Sequence, residues 1–344
     1  MENDILYMNR AMELALSGRG VVSPNPMVGC VVVHDNKIIG EGYHQRFGEP
    51  HAEVNAINAV ANKELLKEAT LYVNLEPCSH FGKTPPCADF IIKNQLKRVV
   101  VANMDTNPLV AGKGLQKMRN AGIAVEVGLM EKEGKNLNKR FFTFMQRMRP
   151  FIILKWAETA DGFIAPEGQK TKWISNSLSR KLVHKWRTEE DAVMVGTNTA
   201  RIDNPKLNVR DWVGRNPLRI VIDKNLKLPQ NSNLFDHSQP TICYNLVKDE
   251  VTPNLELIKL REGNFIMQMI ESLYAKKVQS VMVEGGSMLM NSLLEHNFWD
   301  EMRVFRTTQC FGLGIKAPQI RGVMFDQEEI QGDTLWVYRR EDSL

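Results

Sequence analysis

Long apolar runs, a paired set of cysteines and a strong charge of either sign are all missing from this 344-residue chain. No stretch approaches the ~18 apolar residues of a membrane-spanning helix. The acidic start "MENDILYMNR" lacks the apolar core of a secretory signal and reads as a helix. Five cysteines, an odd number, argue against a disulfide framework and for a reducing compartment, the cytoplasm. A net charge of +4 comes without the basic stripe of a nucleic-acid binder, for which a domain pI above ~9 is usual. That mild positive balance suits a phosphorylated small molecule. The dinucleotide fingerprint G-x-G-x-x-G is also absent: Gly112 and Gly114 begin one, but Lys117 stands at its third position. There is no short-period repeat and no low-complexity tract. The composition, 43% hydrophobic and 24% charged, is that of a globular protein too long for one core, so two domains are expected.

Helical and strand patterns alternate along the first half. Ile5 to Leu16 is helical, "RGVVSPNP" breaks it, and "MVGCVVV" and "KIIGEGY" form a hairpin around "HDNK". A helix from Ala52 to about Asn62, the strand "TLYVNL" and a Pro-rich loop follow. A further helix starts near Cys87, since Pro85 and Pro86 suit a helix start. "RVVVA", "GKGLQKMRNAG" and "IAVEVG" continue as strand, helix and strand. One charged helix, "EKEGKNLNKRFFTFMQRMR", leads to Pro150 and a boundary near Met148. Beyond it, "FIILKWAE", "AVMVG", "LRIVID", "TICYN", "SVMVEGG" and "EMRVFRT" are strands separated by helices. The fold class is therefore α/β, a mixed sheet covered by helices in each half.

His51, Cys78 and Cys87 are the residue types of a catalytic zinc site, which keeps three protein ligands and one position open for water. Glu53, two residues after His51, is placed to pass protons between that water and a leaving amine. The zinc deaminase signature is H-x-E followed by P-C-x-x-C. The first half fits, but here eight residues, "SHFGKTPP", separate the cysteines. Gly82 and two prolines let that loop swing out and return Cys87 to the metal. The longer loop also supplies His80 and Lys83. The bland alternative is a structural zinc, whose fourth ligand would come from Cys30, His44 or His80, or simply a pair of buried cysteines. Cys30 sits in the apolar run "VGCVVV" and reads as core.

"SPNPMVGCVV", "GEGYH", "PHAEVNAI", "LEPCSHFGKTPPC" and "GKGLQKMRNAGI" resemble the deaminase half of bifunctional riboflavin biosynthesis deaminase/reductases, over nearly all of residues 1–146. The resemblance implies a cytidine-deaminase-like α/β/α domain over 1–147. It also implies hydrolytic removal of the 2-amino group from a diaminopyrimidinone ribosylamine 5′-phosphate. Asn25, His44, His80, Lys83 and Asn107 match the family's substrate-contact positions. An amide, imidazoles and an ammonium are suited to ring polar groups and phosphate. Asn25, between two prolines, also reads as a plain turn residue. The family's frequent "DPNP" is "DTNP" here, with Thr106 in place of proline.

In the second half, "VMVEGGSMLMNSLL" and "AVMVGTNTARIDNP" each run strand, glycine, helix, an arrangement that receives phosphate on bare N–H groups and is also common in simple packing. Lys155 interrupts an apolar strand. Arg187 and Arg210 are candidates for a phosphate clamp against the default of solvated charge. "LKWAETADGFIA", "TKWIS", "WRTEEDAVMVGTNTARIDNPKLNVR", "NPLRIVID" and "VEGGSMLMNSLL" resemble the same family's reductase half over most of residues 150–300, fading toward the C-terminus. The resemblance implies a dihydrofolate-reductase-like domain over 148–344 that uses NADPH to reduce the ribosyl group to a ribityl chain. By it, Ala157, Trp173, Thr199, Asp203, Gly285 and Gly286 take cofactor positions. Lys155, Thr171, Ser175, Arg187, Leu207, Arg210 and Glu284 take substrate positions. Asp203 is also a candidate proton donor or orienting group.

The expectation is thus two fused cytoplasmic enzymes that bind one zinc per chain and NADPH. They would act on phosphorylated pyrimidines, bind neither nucleic acid nor membrane, and assemble as a homo-oligomer, dimer or tetramer. A nucleoside or tRNA-base deaminase with an accessory domain would need a basic stripe. A non-catalytic zinc-stabilised nucleotide-binding module would have no use for Glu53.

Overall fold

The computed structural model describes residues 2–79, 85–106, 111–168 and 173–342. The chain divides into two compact units, Met1–Arg147 and Met148–Ser343.

The first unit opens with α1 (Glu2–Leu16) and the hairpin β1 (Gly29–His34) and β2 (Lys37–Tyr43). Asp35 and Asn36 turn that hairpin at φ of 48° and 58°, the left-handed region that these two residue types tolerate. Next come α2 (Ala52–Ala59), β3 (Thr70–Leu75), α3 (Cys87–Lys93), β4 (Arg98–Asn103) and α4 (Lys113–Asn120). The unit closes with β5 (Ala124–Val127), α5 (Glu131–Leu137) and α6 (Lys139–Arg147). The sheet order is β2-β1-β3-β4-β5, with β1 antiparallel to both neighbours and β3, β4 and β5 parallel.

Strand alternation sorts the core into two layers. Val31, Val33, Tyr72 and Val100 pack on Met8, Ala11 and Met12 of α1. Val32, Leu71, Val73 and Val99 pack on Ile57 of α2, Ile91 of α3 and Met118 of α4. A Cβ at Gly42 would lie 2.4 Å from the Ala56 nitrogen and 2.7 Å from the Ala52 oxygen. Glycine at this point of β2 is what lets α2 lie flat against the sheet.

Two helices differ from the sequence expectation. The helix from Ala52 stops at Ala59 instead of Asn62, because the Asn62 side chain caps the following 3-10 turn by accepting from the Glu64 N–H. The single helix expected over 131–149 is two, α5 and α6, interrupted at Asn138. The Asn138 amide is turned away to accept from Met27 N (2.8 Å) and donate to Met27 O (2.8 Å).

The second unit runs β6 (Phe151–Glu158), β7 (Phe163–Pro166), α7 (Ser177–Glu189), β8 (Ala192–Gly196), α8 (Thr197–Asp203) and β9 (Leu218–Ile222). It continues with β10 (Thr241–Asn245), β11 (Glu250–Thr252), β12 (Leu255–Lys259), α9 (Phe265–Ala275), β13 (Ser280–Gly285) and α10 (Ser287–Glu295). It ends in β14 (Glu301–Arg306), β15 (Gly314–Lys316), β16 (Val323–Ile330) and β17 (Asp333–Arg339). The main sheet order is β11-β12-β10-β9-β8-β13-β6-β14-β17-β16. The run from β12 to β14 is parallel, and β11, β17 and β16 are antiparallel edge additions.

One face of this sheet (Ile152, Leu154, Met194, Val281, Val283) is covered by Met269 and Leu273 of α9 and Leu293 of α10. The other (Phe151, Ile153, Val193, Val195, Met282) is covered by Val183 and Trp186 of α7 and Ala200 of α8. By the same alternation, Lys155, Ala157 and Glu284 share the α7–α8 face.

Candidate active sites

In the first unit, the extended residue His51 caps α2 (φ −75°, ψ 166°) and Glu53 falls in its first turn. One helix start therefore carries both. Cys78 follows the end of β3, and Cys87 is the first residue of α3. The return of the long loop is fixed by backbone: Cys87 N donates to Cys78 Sγ (3.3 Å) and Ala88 N to Cys78 O (3.1 Å). His51 Nδ1 lies 3.6 Å from Cys78 Sγ and 3.3 Å from Cys87 Sγ, and the three ligand atoms lie within 4.8 Å of one another. Zinc–nitrogen and zinc–sulfur bonds at a tetrahedral angle span about 3.6 Å, so this donor set fits zinc.

Glu53 is 3% exposed, and its Oε2 is buried without a hydrogen-bond partner. Burial pushes its carboxyl up to about 7, against the pull of His51. The hydrogen bond from Cys87, working against burial, holds the Cys78 thiol down to about 4, with His51 helping. A buried acceptor left open beside three metal-ligating atoms is suited to a bound water.

Two of the three candidate fourth ligands, Cys30 and His44, are otherwise engaged. Cys30 is fully buried in the core. His44 Nδ1 donates to Pro50 O (3.2 Å), leaving Nε2 to accept from Asn25 Nδ2 (3.0 Å). Its ring stands edge-on to His51, with centroids 5.2 Å apart, and burial holds its pKa down. Asn25 and His44 are thus locked together next to the donor set, and Asn25 is more than a turn residue. His80, Lys83 and Asn107 lie outside the described residues.

Three residues that the sequence reading passed over organise this site. Asn138 and Asn74 hold both ends of the segment after Asn25: Asn74 Oδ1 accepts from Gly29 N (2.8 Å), and its amide donates to Met27 O (3.0 Å). Glu76, 4% exposed, accepts from the backbone N–H of Asp105, Gly112 and Gly114 at 3.2, 2.9 and 3.2 Å. It ties the end of β3 to the backbone at Asp105, Gly112 and Gly114. A carboxylate ending an apolar strand was the signal available in the sequence.

The second unit holds a cavity of roughly 1270 Å3 at the C-terminal edge of its parallel strands, where open α/β sheets bind ligands. Lys155, Arg187, Glu284 and Arg210 line one part of it, with Ser175 and Trp173. Ala157, Thr199, Asp203, Gly285 and Gly286 also line it. Thr171 lies outside the described residues. Leu207 does not line the cavity; it is 2% exposed in the core beneath α7, where an apolar side chain is best placed. Any part it takes toward a ligand falls to its backbone.

The two arginines behave differently from a symmetric clamp. Arg187 donates Nε to Glu284 Oε1 (2.6 Å), Nη2 to Oε2 (2.8 Å) and Nη1 to Asn208 O (2.8 Å). Lys155 Nζ stands 3.9 Å from the same carboxylate. Burial alone would raise the Glu284 carboxyl, but the charge and hydrogen bonds of Arg187, with Lys155, hold it at about 2. Burial, with the neighbouring Arg187 and Arg210, pushes His184 on the same wall down to about 4. Arg210 is half exposed, its nearest carboxylate being Asp211 at 3.7 Å. Arg187 is therefore committed to the protein, whereas Arg210 is half exposed on the cavity lining.

Gly285 has a φ of 153°, which favours glycine, and a Cβ on Gly285 or Gly286 would lie 3.0 or 2.9 Å from Thr199 Oγ1, so a side chain at either position would have to displace that hydroxyl.

A family profile described as "Cytidine and deoxycytidylate deaminase zinc-binding region" matches residues 1–103, and one described as "RibD C-terminal domain" matches residues 150–332. "Riboflavin biosynthesis protein RibD" of Aquifex aeolicus is 42% identical over 336 residues, 96% of this chain and 94% of that protein. The protein of the same name from Escherichia coli is 37% identical, covering 90% and 89%. A solved structure from Thermotoga maritima, a diaminohydroxyphosphoribosylaminopyrimidine deaminase/5-amino-6-(5-phosphoribosylamino)uracil reductase, superposes with a TM-score of 0.91 at 38% identity. That superposition covers 98% of this chain and 99% of the other.

Proposed function

The chain belongs to the RibD family of riboflavin biosynthesis proteins, and on that premise we propose the substrates and the residue roles that follow. It is a bifunctional enzyme, a zinc-dependent deaminase joined to a reductase of the family that uses NADPH. The first unit hydrolyses the 2-amino group from a diaminopyrimidinone ribosylamine 5′-phosphate. The second reduces the ribosyl group of that product to the ribityl chain of 5-amino-6-(5-phosphoribitylamino)uracil. The observation that carries this reading is the cluster of His51 Nδ1, Cys78 Sγ and Cys87 Sγ with the unpartnered Glu53 Oε2 buried beside it.

Zinc, when bound, lowers the pKa of a water from about 15.7 toward roughly 7 and so supplies the nucleophile. Glu53 carries a proton from water to the departing amine. His51, Cys78 and Cys87 hold the metal, while Asn25 and His44, fixed to one another, bind the pyrimidine with His80, Lys83 and Asn107.

In the second unit NADPH, when bound, supplies the hydride. Thr199, Ala157, Trp173, Asp203 and the Gly285–Gly286 turn orient the cofactor. Arg210, with Lys155, Thr171, Ser175 and the backbone at Leu207, receives the sugar phosphate. Arg187 and Glu284 brace that wall, and Asp203 orients the reacting end or donates the proton.

A cytoplasmic location and a homo-oligomeric state belong to the same reading. None of the five cysteines is in a disulfide, which agrees with a reducing compartment. The edge strand β16 leaves Val323, Met324 and Phe325 each about half exposed, an apolar edge suited to a second copy. Light scattering of the purified chain tests the assembly. The activities are tested by supplying the diamino substrate with NADPH and following ammonia release and nicotinamide absorbance together. Ammonia without cofactor oxidation overturns the reductase assignment, and neither signal overturns both.

A further inference from the structure

The loop that carries Arg210 lies along α7 and is held there residue by residue. Leu207, at a φ of 48°, sends its side chain into the core beneath the helix. Arg187 Nη1 donates to Asn208 O (2.8 Å), and Val209 N donates to Asn216 Oδ1 (2.7 Å). At Gly214 the backbone comes so close to Thr188 that a Cβ would meet its Cγ2 at 2.7 Å. Between these points stand Arg210 and Asp211. The residue that meets both is His184, one turn before Arg187 on the same helix.

His184 Nδ1 accepts from the Arg210 N–H (3.4 Å), and its Nε2 lies 3.3 Å from Asp211 Oδ2. An imidazole that accepts at Nδ1 is neutral and carries its proton on Nε2, the nitrogen beside Asp211. Burial and the two nearby arginines, which push its pKa down to about 4, keep the ring in that form. A charged ring would set a second N–H against that of Arg210. Asp211 in turn stands 3.7 Å from Arg210 Nε. The ring thus fixes Arg210 twice, at its backbone and through the neighbouring acid. A histidine only 3% exposed is by default a satisfied core residue. Here the ring also lines the cavity, and both its nitrogens are spent on the residue pair that includes Arg210.

We propose that His184 is a positioning residue of the reductase: its imidazole holds Arg210 and Asp211 so that the Arg210 guanidinium already stands where the sugar phosphate arrives. The assignment rests on the reductase reading above, in which Arg210 receives that phosphate. A cation set in place beforehand loses less freedom on binding, so the gain falls on substrate affinity and not on hydride transfer.

The test is steady-state reduction of the deaminated intermediate by the full-length chain with NADPH. His184→Phe keeps an aromatic ring and removes both ring nitrogens. Its KM for the intermediate should rise about 3- to 30-fold, the worth of one or two net hydrogen bonds, with kcat and the KM for NADPH unchanged. In an Arg210→Ala background the same substitution should change that KM by less than about twofold, because a residue that acts through Arg210 has nothing left to position. His184→Asn keeps an acceptor toward the Arg210 N–H and loses the contact with Asp211, so its KM should fall between those of the unmodified chain and the Phe variant. Measured with and without Arg210→Ala, it carries the same test where the Phe variant does not fold. An unchanged KM in the folded Phe variant overturns the assignment, as does an effect that simply multiplies that of Arg210→Ala. A fall in kcat with a rise in both KM values marks a purely structural histidine and overturns it too. Each of these outcomes leaves the reductase reading intact, whereas an unmodified chain that does not reduce the intermediate overturns both.

Discussion

Arg187 on α7 and Glu284 at the end of β13 meet through two hydrogen bonds of 2.6 and 2.8 Å, their side chains only 10% and 8% exposed. The pair joins a helix to a central strand and forms part of the cavity wall. Its electrostatics give the reductase unit a pH signature. The Glu284 carboxyl lies at about 2 against an ordinary 4.5. A depressed carboxyl contributes stability that is full above pH 4.5 and is lost as pH falls toward 2. Glu284→Gln leaves Arg187 buried without its counter-charge, which costs about 3–5 kcal/mol at neutral pH. The difference in unfolding free energy between the two proteins should shrink steadily below pH 4.5. All six tryptophans lie beyond residue 148, so tryptophan fluorescence in urea reports this unit alone. A pH-independent difference would show that the pair is not ionised as described.

Purified protein should hold one zinc per chain, as three ligands and an open position define one mononuclear site. Cys87→Ala should lose most of it, despite the eight residues that separate Cys87 from Cys78. Metal analysis after gel filtration reads the outcome. Full retention of zinc would mean that the thiol reached by the long loop is not a ligand.

The two chemistries should be separable by single substitutions. Glu53, proposed to move protons, lies outside the group of three metal-binding residues, so Glu53→Gln should keep zinc and lower deamination by ~10²–10⁴-fold. Reduction of the supplied deaminated intermediate should be unaffected. Arg210→Ala removes a half-exposed cation that lines the second cavity. It should raise the reductase KM for that intermediate and leave ammonia release unchanged. Loss of reduction in a folded Glu53→Gln protein would contradict two self-sufficient sites.

A purely steric change should disable the first site from a distance. At Gly42 a new Cβ meets the Ala56 nitrogen at 2.4 Å, and backbone cannot rotate away. Overpacking of this kind costs about 1–3 kcal/mol. Gly42→Ala should lift α2 from the sheet, displacing His51 and Glu53 together. Zinc content and deamination should both fall, with tryptophan fluorescence and reduction unchanged. Normal deamination in this variant would mean that α2 has room to spare.

Most of the local structure was legible in the sequence, as were the three residues that the fold gathers into a group able to hold a metal. Strand alternation, Pro85–Pro86 before Cys87 and the spacing of His51 and Glu53 are short-range signals, and the structure keeps them. The edge strand β16 was not legible. Nearly all of β16 is exposed, so no buried face imposes a period of two on its residues. Which charged groups are spent on the fold was settled by tertiary contacts. Arg187 and Arg210 look alike in sequence, but the first is consumed by Glu284, a residue 97 positions away. Asn138 reads as one more polar position in a charged helix until Met27, 111 residues distant, takes both ends of its amide. Leu207 reads as a ligand contact by its place in the chain, yet its side chain is core. Hydrogen-bond partners and burial depend on contacts between segments far apart in the chain, and no local pattern encodes those.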